Sequence, residues 1–123
     1  MDSGNEKVKV AEYIDLEEVA PYASAIVHHG GIGTGSIALR HGLPQLFIPR
    51  VFAQPSNAEW LRKLGVGLIL KPHEYTTVQG ASAISRLLTE KDFYQNCCRA
   101  SSAMSDPHVE LERVCEFLIG SAR

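Results

Sequence analysis

Four glycines stand within six residues, Gly30-Gly31-Ile32-Gly33-Thr34-Gly35, just behind the short apolar run Ala25-Ile26-Val27 and the pair His28-His29. A short, unalternating run of branched residues is the mark of a strand buried on both faces, as in parallel sheets. Behind the glycines, Ser36 to His41 reads as a helix with Ile37, Ala38 and His41 on one side, stopped by Gly42. A second apolar run, Leu46-Phe47-Ile48, closes at Pro49. Strand, glycine bend, helix and strand make one βαβ unit. The bend then lies where a strand ends and a helix begins. Glycine lets a ligand approach the backbone closely. The first-turn N–H groups point into that opening with a partial charge of about +0.5, which suits a phosphate.

The 123 residues suffice for one domain with a core and are too few for two. Met1 to Glu6 reads as a polar tail and residues 7–123 as a single domain. A net charge of -2 argues against a nucleic-acid binder. The charge is unevenly placed. His28 to Pro72 holds five basic residues, Arg40, Arg50, Arg62, Lys63 and Lys71, against Glu59 alone. That surplus reads either as solvated helix faces or as a field favouring an anionic ligand. No run approaches the roughly 20 apolar residues of a membrane span, and the first residues do not read as a signal peptide. Cys97, Cys98 and Cys115 match no metal spacing and read as small core residues, which suits a reducing cytoplasm.

Taken in order, Val8 and Val10 alternate with lysines, so Lys7 to Ile14 reads as a strand, toward an edge. Asp15 caps a short helical turn that Pro21 ends. Past the βαβ unit, Ser56 and Glu59 form a capping box for a helix from Asn57 to Leu64 that buries Trp60, Leu61 and Leu64. Val66 to Leu70 is the next strand, and Thr76 caps a helix burying Ala81, Ile84, Leu87 and Leu88. Thr89 and Asp92 open another, with Phe93, Cys97, Ala100 and Met104 on one face. A last helix follows Asp106-Pro107 and buries Leu111, Val114, Cys115 and Leu118. The fold class is α/β: a Rossmann-like parallel sheet of about four strands with flanking helices.

A dinucleotide-oxidoreductase reading fits poorly. Gly31 and Gly33 supply two glycines of that fingerprint but the third falls on Ser36, and the register Gly33-Gly35-Ala38 sits late in the bend. No acid follows the second strand to hold a ribose. Adjacent His28 and His29 point to opposite faces of a strand, so they cannot readily chelate one ion.

His28-His29-Gly30-Gly31-Ile32-Gly33-Thr34, with Ala38-Leu39, Gly42-Leu43-Pro44, Pro49, Gln54 and Asn57-Ala58, resembles the donor-binding signature of nucleotide-sugar glycosyltransferases of the two-Rossmann-domain (GT-B) type. The bacterial natural-product and rhamnosyltransferase-like members and the sterol glucosyltransferases are the closest in pattern. The resemblance runs without gaps from Tyr13 to about Leu70 and more loosely beyond. It implies that the chain is a partial C-terminal domain, incomplete relative to the full family domain, whose activity is inverting transfer of a hexosyl group from a nucleoside diphosphate to an acceptor hydroxyl.

The resemblance also assigns roles. His29, Gly31, Gly33 and Thr34 hold the donor diphosphate, Gln54 binds the donor sugar, and Tyr13 and Ile14 pass beside the nucleotide base. From the residues alone, Tyr13 also reads as a packed aromatic and Thr34 as a helix cap. His28 reads as structural, and Asn57 as ordering the loop ahead of its helix. A ribose-binding glutamate of plant-like members is replaced by Ile37, and the acid that precedes Gln54 in the family is replaced by Ala53. The resemblance implies no cofactor and no metal. No residue of this chain is assigned as catalytic, because the general base belongs to an N-terminal acceptor domain. The isolated chain is therefore expected to be inactive, either as the donor half of an enzyme or as a non-catalytic subunit needing a partner chain. Family domains place two βα units ahead of the segment matching Val8 to Ile14. That strand is accordingly expected to pair beside Ala25–His28, or a second chain, including another copy, to cover that edge.

Overall fold

The computed structural model describes residues 7–104. A four-residue helix, α1 (Leu16–Val19), runs into a 3-10 turn at Ala20–Tyr22. The chain then alternates: β1 (Ile26–His28), α2 (Ile32–Arg40), β2 (Gln45–Phe47), α3 (Gln54–Lys63) and β3 (Gly67–Ile69). A second 3-10 turn (Pro72–Glu74) leads to α4 (Thr77–Thr89) and α5 (Lys91–Ala103). The strands form one parallel sheet in the order β1-β2-β3. Val27 stands opposite Leu46, and Leu46 opposite Leu68.

The central strand explains the unalternating sequence, since Gln45, Leu46 and Phe47 are all fully buried. On one face Phe47 packs with Leu39 of α2, Ala58 and Leu61 of α3, Val66 and Cys97 of α5. On the other Leu46 packs with Ala83 and Leu87 of α4 and Phe93 of α5. Each fully buried Leu or Phe contributes about 1.5–3 kcal/mol relative to exposure. A third cluster, Ala20, Ala38 and Leu43, seats α1 on the back of α2. Among the described residues no helix is long and apolar enough to cross a membrane.

The helix signals hold at several points. Asp15 accepts the Glu17 N–H, and Thr76 accepts that of Gln79. The turns after α2 and α3 fall on Gly42 and Gly65, both with positive φ. Phe93 and Cys97 are buried on α5, with Ala100 and Met104 packed against the same core.

Other expectations fail, for physical reasons. Among the described residues the sheet has three strands where about four were expected, and Lys7 to Ile14 forms none of them. Two valines are too short an alternation to specify a strand. Val8, Val10, Tyr13 and Ile14 are all more than half exposed, and β1 is an edge of the sheet, with Val27 exposed. Helix α3 begins at Gln54, ahead of Ser56, because Pro55 preorganises the first turn and has no N–H to orphan. The capping box therefore does not form, and Glu59 pairs instead with Arg62. Trp60 and Leu64 are exposed while Ala58 and Leu61 are buried. Helix α4 turns Gly80 and Ala83 inward and leaves Ala81 and Leu88 outside. A β-carbon on Gly80 would meet Tyr75 at 3.1 Å, so close packing selects small residues that a hydrophobicity pattern passes over. Helix α5 is capped at Glu90 with no side-chain bond, where Thr89 and Asp92 were expected. Cys98 is exposed. Asp106-Pro107, the last helix and Cys115 lie outside the described residues.

Candidate functional site

The glycine bend leaves the carboxyl end of β1 and enters α2, the arrangement the βαβ reading requires. Helix α2 starts earlier than expected, at Ile32, with Gly31 as its N-cap. The first bond of the helix runs from the Gly35 N–H to the Gly31 carbonyl at 2.9 Å. The N–H groups of Ile32, Gly33 and Thr34 thus have no acceptor within the helix and form its positive end. His29 is exposed immediately before the bend. Thr34 lies on the first turn of α2, half-buried.

Two kinds of glycine occupy the bend. Gly30 has φ +98°, and a β-carbon there would lie 2.8 Å from the Gln54 carbonyl oxygen, so the fold itself demands glycine. At Gly31 and Gly33 a β-carbon would meet nothing within 4 Å. Gly31 has an ordinary φ of -64°. Neither position needs glycine for packing among the described residues.

The first turn of α3 closes against this bend. Asn57 donates its side-chain N–H to the Gly30 carbonyl at 3.1 Å, the ordering role expected of it. Gln54 sits in the first turn of α3, where its side-chain oxygen accepts the N–H groups of Arg50 (3.0 Å) and Val51 (3.2 Å). That oxygen holds the loop. Phe52, at the tip, is 97% exposed with φ +55°, a conformation uncommon for a non-glycine residue. No periodicity in the sequence marks it.

Tyr13 and Ile14 lie in irregular chain just ahead of α1, with Tyr13 85% exposed, so Tyr13 is not a packed core aromatic. Ile37 packs against the Ala20–Ala38–Leu43 cluster, so this side chain serves the fold. Part of the basic surplus is paired away from the bend: Arg40, at the far end of α2, pairs with Glu17, and Arg62, in the last turn of α3, with Glu59. Arg50, exposed in the loop after β2, is the cation sequence-adjacent to Gln54's loop.

Beneath the bend, His28 accepts the Gly30 N–H on Nδ1 at 3.1 Å and bonds the fully buried Gln45 through Nε2 at 2.7 Å. Its ring meets Phe47 edge-on, with centroids 5.2 Å apart. Burial pushes the His28 pKa down, and the Gln45 bond only partly opposes this. The structural reading of His28 holds. Gln45 was not singled out in the sequence, although a glutamine inside an apolar strand is itself a signal, since a buried amide needs partners. Among the described residues no three His, Cys, Asp or Glu side chains converge to hold a metal ion.

The family of the Erythromycin biosynthesis protein CIII-like C-terminal domain matches residues 3–117. The chain belongs to this family. As a CIII-like domain it is a C-terminal, donor-binding glycosyltransferase domain with the GT-B Rossmann-like fold. It is 37% identical over 101 residues to the aclacinomycin-T 2-deoxy-L-fucose transferase of Streptomyces galilaeus, covering 80% of this chain and 23% of that protein. It is also 37% identical over 103 residues to the TDP-daunosamine transferase DnrS of Streptomyces peucetius, covering 79% and 23%. The CIII-like chain thus spans about a quarter of the length of these curated relatives. Among solved structures, the spinosyn forosaminyltransferase SpnP superposes with a TM-score of 0.81 at 30% identity, over 97% of this chain and 33% of that one. The glycosyltransferase VinC, in complex with DTDP, superposes at 0.74 and 28% identity, over 80% and 25%.

Proposed function

We propose that this chain binds the donor of an inverting glycosyltransferase, a thymidine diphosphate carrying a deoxyhexose. Gly31 and Gly33 carry the reading. Nothing among the described residues of the protein uses the space in front of them, and Gly33, inside α2, costs about 1 kcal/mol relative to alanine. An external group lying against that backbone gives both a reason to be glycine. The unbonded N–H groups of the α2 first turn select an anion there. His29 and the Thr34 hydroxyl add donors to the same diphosphate, Gln54 offers its NH2 group to a sugar hydroxyl, and Tyr13 with Ile14 lies beside the base.

In this reading the acceptor oxygen displaces the diphosphate at the anomeric carbon with inversion. The helix terminus, His29 and Thr34 stabilise the negative charge gathering on the leaving group. The general base that takes the acceptor proton belongs to an acceptor domain. Ala53, where the resemblance expects an acid, removes a hydrogen-bond acceptor for sugar hydroxyls and so favours a deoxygenated sugar. Two relatives, a 2-deoxy-L-fucose transferase and a TDP-daunosamine transferase, support that class, and the DTDP in VinC supports the nucleotide.

Calorimetric titration of the chain with thymidine and uridine diphosphates tests the reading. Thymidine diphosphate binding that His29→Ala weakens supports it, and no binding to either nucleotide overturns it. A second reading, a non-catalytic subunit completed by a partner chain, draws on the open β1 edge and exposed Val27. Sedimentation separates them, because a subunit of that kind self-associates or recruits a partner through this edge.

A further inference from the structure

The proton on His28 can be located from its neighbours. A backbone N–H only donates, so the Gly30 N–H requires an unprotonated Nδ1 on His28. The neutral ring then carries its proton on Nε2 and donates it to the Gln45 side-chain oxygen. This in turn fixes the Gln45 amide, whose NH2 group faces the Gly35 carbonyl of α2 at 3.5 Å. Gly35 lies against the pair and makes room for Leu61: a β-carbon there would lie 3.0 Å from Leu61, and in ordinary contact with the Gln45 oxygen at 3.7 Å and the His28 ring at 3.9 Å. The Gly30 peptide is therefore held on both sides, by His28 at its N–H and by Asn57 at its carbonyl.

We propose that His28, held by Gln45 as the Nε2–H tautomer, is the positioning residue of the donor-binding bend. It aims Gly30, and with it Gly31 and the first turn of α2, at the diphosphate. This rests on the function proposed above for that turn. An imidazolium carries hydrogen on both nitrogens, so protonating His28 replaces an acceptor with a donor facing the Gly30 N–H, and the bend must move. Its titratable neighbour is His29, the residue that follows the strand. Strand β2 brings Gln45 and Phe47 and α2 brings Gly35, none of them charged.

Two measurements on the 123-residue chain test this. Nitrogen-15 NMR of the free chain shows His28 protonated on Nε2 at pH 7, with the Gly30 amide resonance moving as His28 titrates. A proton on Nδ1, or a Gly30 amide indifferent to that titration, overturns the proposal whether or not any nucleotide binds. The second uses thymidine-diphosphoglucose, whose phosphates keep their charge over the range studied. Its affinity falls about tenfold as His28 becomes charged. Gln45→Glu, which stabilises the imidazolium, moves that fall to higher pH. An acid limb that stays in place while His28 titrates higher in Gln45→Glu counts against the proposal. If Gln45→Glu does not fold, the Gly30 amide titration of the wild-type chain decides alone. Failure of the wild-type chain to bind nucleotide would instead count against the proposed function and leave the NMR result standing.

Discussion

The carbonyl oxygen of Gln54 lies 2.8 Å from where a β-carbon of Gly30 would be. The bend after β1 and the first turn of α3 are thereby packed backbone to backbone, and the side chain of Asn57 ties them again at the Gly30 carbonyl. Gly30→Ala must adopt φ +98° and displace that carbonyl. It is expected to lower stability by about 2 to 4 kcal/mol, read from urea denaturation. An unchanged midpoint would show that the bend and the first turn of α3 separate in solution.

Gly33→Ala should behave in the opposite way. It lies inside α2 with open space before it, and alanine there should stabilise the chain by about 0.5 to 1 kcal/mol. Thymidine diphosphate affinity should nonetheless drop about tenfold or more, because the new methyl occupies the ligand's approach. A variant that is more stable and binds as tightly as the wild type removes the argument from the glycines.

For His29→Ala the two readouts should again divide. The side chain is exposed, so thermal stability should change by less than about 0.5 kcal/mol. Loss of a hydrogen bond to a charged phosphate, worth about 1.5 to 3 kcal/mol, should weaken binding roughly ten- to hundredfold.

Gln54 has two jobs on two ends of one amide. Its oxygen holds the N–H groups of Arg50 and Val51, and in the proposed function its NH2 group is offered to the sugar. Gln54→Glu keeps the acceptor and loses the donor. Stability should stay near wild type while the affinity advantage of a nucleotide sugar over the bare diphosphate shrinks. Gln54→Ala should lose about 1 kcal/mol of stability as well. Equal loss of both in the two variants would mean that the residue serves only the loop.

Stability should pass through a plateau bounded by two buried groups. The His28 pKa is lowered from 6.5 by burial, so below that value the unfolded chain takes up a proton that the folded chain resists, and stability falls as pH drops. Cys97 is raised from 9.0 to about 11 by burial, with the neighbouring Cys98 adding to the shift. Between those two values the unfolded thiol ionises and the folded one does not, so stability falls as pH rises. Thermal melts across pH 5 to 11 are expected to show both limbs (endpoints chosen roughly to bracket these shifts). Iodoacetamide at neutral pH should label exposed Cys98 and spare Cys97.

The local order of the chain was legible because each signal is short-range. Apolar runs at Ile26 and Leu46 found two strands, Asp15 and Thr76 found their caps, and the glycines found the turn between strand and helix. The candidate site residues His29, Gly31, Gly33, Thr34 and Gln54 were named from a motif whose spacing survives in sequence alone. Tertiary structure decided which glycines serve the fold and which leave room outside it, since that depends on what stands opposite each Cα. It decided that Ile37 packs inward, that Gly80 and Ala83 are buried where Ala81 and Leu88 were expected, and that Lys7 to Ile14 adds no strand. It also placed Gln45 under His28, a contact seventeen residues apart that fixes one proton. Periodicity reports which residues prefer burial. Hydrogen-bond partners and close approach are set by where distant segments meet, and a single chain of letters carries no distance between them.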